Sequence, residues 1–120
     1  MKELDARDLR ARTKAFALRI IRLYSSLPKT TEAQVLGKQL LRSGTSVGAH
    51  YREATRARSQ AEFISKIEAG LQELEETVYW LELLVEGRFV DESRLAELLR
   101  EAEELMSIFV SSAKTAKKSR

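Results

Sequence analysis

His50, the one histidine of this 120-residue chain, stands three residues before Glu53. On a helix that spacing puts an imidazole and a carboxylate on neighbouring turns. Such a pair can exchange a proton, but general acid/base work also needs a pocket and a positioned substrate, and no such constellation surrounds it. The simpler reading makes His50 and Glu53 hydrogen-bonding residues at a helix boundary or a subunit seam. With no cysteine there is no disulfide framework, thiolate metal site or cysteine nucleophile, and a lone histidine excludes multi-histidine ligation within one subunit. No catalytic, cofactor or metal site is therefore expected, and no small-molecule substrate; the sequence points to a protein that is not an enzyme.

Cations offer a different chemistry. Lys38, Arg42, Arg52 and Arg56 fall on one arc of a helical wheel, facing away from the apolar positions Leu36, Leu40, Val47, Tyr51 and Ala54. With Arg7, Arg10 and Lys14 from the preceding helix they could track a phosphate backbone. A solvated charged face is the bland alternative. The net charge of +3 hides a strong asymmetry: residues 1–58 carry thirteen basic and five acidic groups, residues 59–113 four and thirteen, and residues 114–120 four basic ones. Such a division suits a nucleic-acid surface, or complementary faces that meet inside a bundle or between subunits. The row Glu68, Gln72, Glu75, Tyr79, Glu82 and Glu86 is the acidic candidate for that pairing.

The elements that would carry these residues are helices. Hydrophobic residues make up 43% and charged residues 32%, with one proline, which fits a helical domain and leaves too few turn-formers for many strands. Leu9, Phe16, Ile20, Leu23 and Leu27 mark one face of a helix over about 5–27, stopped at Pro28. Thr31 with Gln34 reads as a capping box opening a helix over about 31–58, and Ser59 with Glu62 opens another over 60–86. In the third, Ile64, Ile67, Leu71, Leu74, Val78, Leu81 and Val85 keep a seven-residue repeat; at 1.5 Å per residue it would run about 42 Å. Gly87 serves as its C-terminal cap and Asp91 as the N-cap of a fourth helix over 92–113, leaving a basic tail, 114–120, as a disordered end. The expected fold is all-α: a single domain, 1–120, built as an up-down-up-down antiparallel four-helix bundle.

Two features predict assembly. The third helix bears a second apolar stripe, Phe63, Gly70, Thr77, Trp80 and Leu84, and the fourth adds Leu99, Met106 and Val110 beside its seam. Gly37, Gly44 and Gly48 cluster on one flank of the second helix, at about 1 kcal/mol each relative to alanine unless close packing returns it. Trp80, Phe63 or Phe16 could nest there, within a multi-chain bundle. The charged start, MKELDARDLR, and the absence of an apolar run near the roughly 20 residues of a membrane span predict a cytoplasmic, unprocessed chain with no membrane partner.

The stretches LPKTTEAQVLGKQLLRSGTSVGAHYREA and AEFISKIEAGLQELEETVYWLELL resemble the bacterial four helix bundle protein family, also named for reading frames in intervening sequences of 23S ribosomal RNA. The resemblance spans roughly residues 16–109. Arg42, Ser43, Ser46, Gly48 and Glu53 match the helix-two signature, and Glu76, Tyr79, Trp80 and Glu82 the helix-three one, while His50 stands where members often have asparagine. It implies assembly with itself as a homo-oligomeric, pentameric ring. A related branch, the accessory variability determinant protein of diversity-generating retroelements, is a basic pentamer that works with a reverse transcriptase and nucleic acid. The resemblance thus makes RNA, other nucleic acid or such a protein the candidate partners. A protein-interaction scaffold that binds no nucleic acid is the competing reading.

Overall fold

The computed structural model describes the backbone of residues 2–119 and the side chains of residues 9–119. Four helices account for nearly all of it: α1 (Lys2–Ser25), α2 (Thr31–Thr55), α3 (Gln60–Glu86) and α4 (Glu92–Lys118). Consecutive helices pack side by side, most closely α2 on α3, and α4 closes on α1 with the fewest approaches, giving an antiparallel bundle with a longest extent of 48 Å. α2 and α4 lie diagonally opposite, and the rings of Tyr51 and Phe109 meet between them with centroids 6.2 Å apart. The core is a column of fully buried side chains that includes Phe16, Ile20, Leu40, Val47, Leu74, Leu81, Leu105 and Phe109.

Helix ends follow local chemistry, with corrections to the expected boundaries. α1 closes at Ser25, two residues early, because the Ser26 and Leu27 N–H groups bond back to Leu23 and Tyr24, tightening the chain ahead of Pro28. The N-cap of α2 is Thr30, whose hydroxyl accepts from the Ala33 N–H at 3.3 Å. The Thr31–Gln34 box does not form. Gln34 instead donates to the Pro28 carbonyl at 2.9 Å and accepts from the Tyr24 hydroxyl at 3.1 Å, tying the α1–α2 turn. α2 ends at Thr55 rather than Arg58, with Arg56 already outside helical geometry. Ser59 caps α3 by accepting from the Glu62 N–H at 3.0 Å, while the Glu62 carboxylate reaches one residue further back, to the Arg58 N–H.

Gly87 does take the C-cap position of α3, but in right-handed geometry, and the left-handed residue is Arg88 at φ 65°. Asp91 is the N-cap of α4 without a side-chain bond to that helix's backbone, its carboxylate accepting from the Ser93 hydroxyl instead. The largest departure is at the C-terminus, where residues 114–118 continue α4 as helix instead of forming a tail. Gln60 Nε2 donates to the Ala116 carbonyl at 2.7 Å, and Lys117 pairs with Glu68 at 2.8 Å, anchoring this last stretch on α3.

The buried face of α3 is rotated from the heptad reading. Ile64, Ile67, Gly70, Leu74, Thr77, Leu81 and Leu84 are buried, whereas Leu71, Val78 and Val85 are half-exposed. The reason lies in α2 and α4: Ser43 and Thr77 bond at 2.9 Å inside the α2–α3 contact, and Gly70 lets the Phe109 ring of α4 approach the α3 backbone. Both sets keep heptad spacing, so only the neighbours decide which one faces inward.

Candidate nucleic-acid interface

The α1–α2 contact is built on glycine. A Cβ placed on Gly37 would stand 2.6 Å from Leu27 Cδ1 and 2.8 Å from Tyr24 Cδ1; on Gly44, 2.7 Å from Ile20 Cγ1; on Gly48, 3.1 Å from Thr13 Oγ1. The side chains over the glycine flank therefore all come from α1 and the turn that follows it in the same chain, in place of the Trp80, Phe63 or Phe16 that the sequence offers. Close approach of α1 within one subunit accounts for the glycines, so they do not in themselves require a second copy. Phe63 and Trp80 are half-buried on α3, and the Trp80 indole nitrogen is buried with no hydrogen-bond partner among the described residues.

This register distributes the cations. Gly48 opposite Thr13 brings Arg10 and Lys14 of α1 to the same end of the bundle as Arg52 and Arg56 of α2. Arg10 lies near enough to Tyr51 for its charge to favour the phenolate, against the burial that raises that hydroxyl above its usual 10.0. Lys38 sits fourteen residues before Arg52, hence about 21 Å along the helix, and is remote from this cluster. Arg7 lies outside the described side chains. Arg10, Lys14, Lys38, Arg52 and Arg56 form no ion pair among the described residues.

Arg42 is diverted. Its guanidinium reaches across to α3, 3.2 Å from Glu73 and 2.6 Å from Glu76, and the Glu76 hydrogen bond, opposed by desolvation and aided by the charge of Glu73, binds its proton more tightly than usual. The acids that meet α2 are thus Glu73 and Glu76, one step round the helix from the expected row. That row, Glu68, Gln72, Glu75, Tyr79, Glu82 and Glu86, faces outward along its whole length.

His50 and Glu53 join the same seam. His50 Nδ1 lies 3.2 Å from Glu53 and Nε2 3.9 Å from Glu73, while Lys66 approaches Glu53 to 3.3 Å. The imidazole hydrogen bond, then Lys66, holds the Glu53 carboxyl below its ordinary 4.5. Arg42, Glu73, His50, Glu53 and Lys66 therefore form a continuous polar ladder that clamps α2 to α3. The open depression of about 470 Å³ lies far away at the α3–α4 turn, lined by Val85, Arg88, Phe89, Val90, Asp91 and Glu92. Among the described residues no group of histidine, cysteine, aspartate and glutamate could hold a metal, and no helix is long and apolar enough to cross a membrane.

Several of these contacts escape sequence reasoning. Arg12 pairs with Glu101 through two nitrogens, at 3.0 and 2.8 Å, and also with Glu104, joining α1 to α4. Lys66 is a partner of Glu53 that only the α2–α3 register reveals. Spacing on one helix carries no signal for either, because the partners lie on different helices.

Comparisons with known proteins agree with the fold. The family model described as 23S rRNA-intervening sequence protein matches residues 7–111. A crystal structure of a protein of unknown function from the S23 ribosomal protein family of Bacteroides thetaiotaomicron is 37% identical, covers 91% of this chain and 97% of its own, and superposes with a TM-score of 0.85. No curated protein matches the chain.

Proposed function

The chain belongs to the 23S rRNA-intervening sequence protein family, and on that premise we propose that it acts as a non-catalytic, cytoplasmic RNA-binding protein, assembled from several copies of itself, pentameric by family resemblance. One observation carries the RNA reading. The cations of α1 and α2 divide into those at helix seams, such as Arg12 and Arg42, which are consumed by acids of α3 and α4, and those on the outer face, which are not. Arg10, Lys14, Arg52 and Arg56 keep their charge available at one end of that face, with Lys38 further along it. Unneutralised cations grouped on one surface are the footprint of phosphate recognition. Arg42 stands apart as a structural residue.

The test is a salt titration of binding to structured RNA. Log affinity should fall with log salt by about 0.9 for each duplex phosphate contacted, and the variant R10Q/K14Q/R52Q/R56Q should flatten the slope by roughly 3 to 4. Binding that keeps the wild-type slope in this variant would discard the surface. Absence of binding at physiological salt would discard the function.

A second reading has its own support. Glu75, Glu82 and Glu86 are exposed and form no ion pair among the described residues, which leaves an acidic face on α3 opposite in sign to the cations of α1 and α2. In that reading the basic and acidic faces pair between subunits. Mass by light scattering with and without RNA separates the two: a scaffold assembles and ignores RNA.

A further inference from the structure

Both α2 and α4 finish at the same end of the bundle, the end where α3 begins. Because α4 stays helical through Lys118, the lysines near the C-terminus occupy fixed positions there. The Gln60–Ala116 bond sets this last stretch against the start of α3, two residues after Arg58. Among the described residues, the acids at this end are already engaged: Glu53 pairs with His50 and Lys66, Glu68 pairs with Lys117, and Glu62 accepts from the Arg58 N–H. Arg56, Arg58, Lys114 and Lys118 are exposed and form no ion pair among the described residues. Among the described residues, these four cations outnumber the one acid of this end, Glu62, that has no cationic partner, and a cluster of positive charge is left over.

We propose that this end of the bundle is a second phosphate-binding surface, made by Arg58 with Lys114 and Lys118 and continuous with the Arg52 and Arg56 side of α2, and that its ligand is a flexible single strand of RNA. The inference rests on the RNA reading above and extends it to a ligand class. Geometry selects the single strand. α2 and α4 are diagonal partners in a body only 24 by 19 Å across, so a backbone touching both must leave the α2 side, cross the end and descend on α4. Duplexes resist such a turn, with a persistence length of about 50 nm for DNA, whereas a single strand follows a curved basic track. Helix-dipole compensation accounts for only part of this charge: Lys117 and Lys118 lie in the last turn of α4, whereas Lys114 and Arg58 lie outside it.

The experiment uses the full chain with an unstructured oligouridine and a fully paired RNA duplex of equal phosphate number, each titrated with salt. The end variant R58Q/K114Q/K118Q should lower the single-strand slope by about 2, at about 0.7 per phosphate, and leave the duplex slope unchanged. The face variant R10Q/K14Q/R52Q/R56Q should lower both. Unaltered circular dichroism of the end variant checks that it folds, and K114Q/K118Q alone, which spares the α2–α3 turn, should give about two thirds of the effect. If the end variant keeps the full single-strand slope while the face variant loses it, the end surface is refuted and the RNA reading stands. An equal loss on duplex and single strand overturns the ligand class, and no RNA binding by the wild type overturns both readings together.

Discussion

Replacing each α2 glycine by alanine tests the packing on which the cation arrangement depends. At Gly44 the added methyl would sit 2.7, 2.9 and 3.2 Å from three atoms of Ile20, all at or next to its branch point. Ile20 is fully buried, and a β-branched residue in a helix has one strongly preferred rotamer, so it cannot swing clear and α1 must move instead. Overpacking of this kind costs about 1–3 kcal/mol, while alanine regains about 1 kcal/mol of helix propensity. Because the obstruction is at a branch point that cannot yield, the overpacking cost falls in the upper part of that range, about 2–3 kcal/mol, so the expected net loss is about 1–2 kcal/mol, or roughly 4–8 °C in Tm for a domain of this size. At Gly37 the encroaching atoms are a terminal methyl of Leu27 and the ring edge of Tyr24, both beyond the branch point and freer to shift than the Ile20 Cβ, so Gly37→Ala should cost less than Gly44→Ala. Gly48→Ala, against Thr13 at 3.1 and 3.3 Å, should fall between the two. Urea unfolding at one fixed protein concentration gives the ranking, and in a cycle with Ile20→Ala the Gly44→Ala loss should shrink because the obstructing atoms are gone. A Gly44→Ala protein as stable as wild type would show that close approach of α1 is not why α2 lacks side chains there.

Two further expectations concern the seams. Glu53 has a lowered carboxyl pKa, so its contribution to stability is complete above the ordinary carboxylate range and is lost as pH falls through the lowered value. His50→Asn removes the first cause of that lowering, so acid unfolding followed by circular dichroism should begin at higher pH in the variant; superimposable acid limbs would argue against the ladder. Arg12→Gln should cost about 1 kcal/mol in urea unfolding, since it removes a two-nitrogen ion pair that is partly shielded from solvent, and should raise amide exchange in α1 more than in α3. Uniform exchange changes over all helices would contradict the placement of Arg12 as a tie between α1 and α4.

Much of the architecture was legible in the chain because its signals are local. Ser59 has an oxygen that reaches the third amide beyond it, Pro28 denies the preceding residue helical geometry, and the apolar spacing of α1 and α4 admits only one inward face. The absence of cysteine likewise removed disulfide and thiolate chemistry. What remained open was every choice between two locally equivalent options. Leu71, Val78 and Val85 share their spacing with Gly70, Thr77 and Leu84, and the second set is buried because Ser43 and Phe109 meet it. Arg42 shares its outer arc with Arg52 and Arg56, yet it alone finds Glu73 and Glu76 across the α2–α3 contact. The lysines after Ala113 carry no apolar pattern, and they are helical where Gln60 and Glu68 hold them. Sequence by itself determined that the chain forms four helices and roughly where three of them end, since caps and apolar spacing depend on neighbours within a few residues. Tertiary structure alone decided which of the described cations are neutralised, because charge pairing is set by the register between helices distant in sequence.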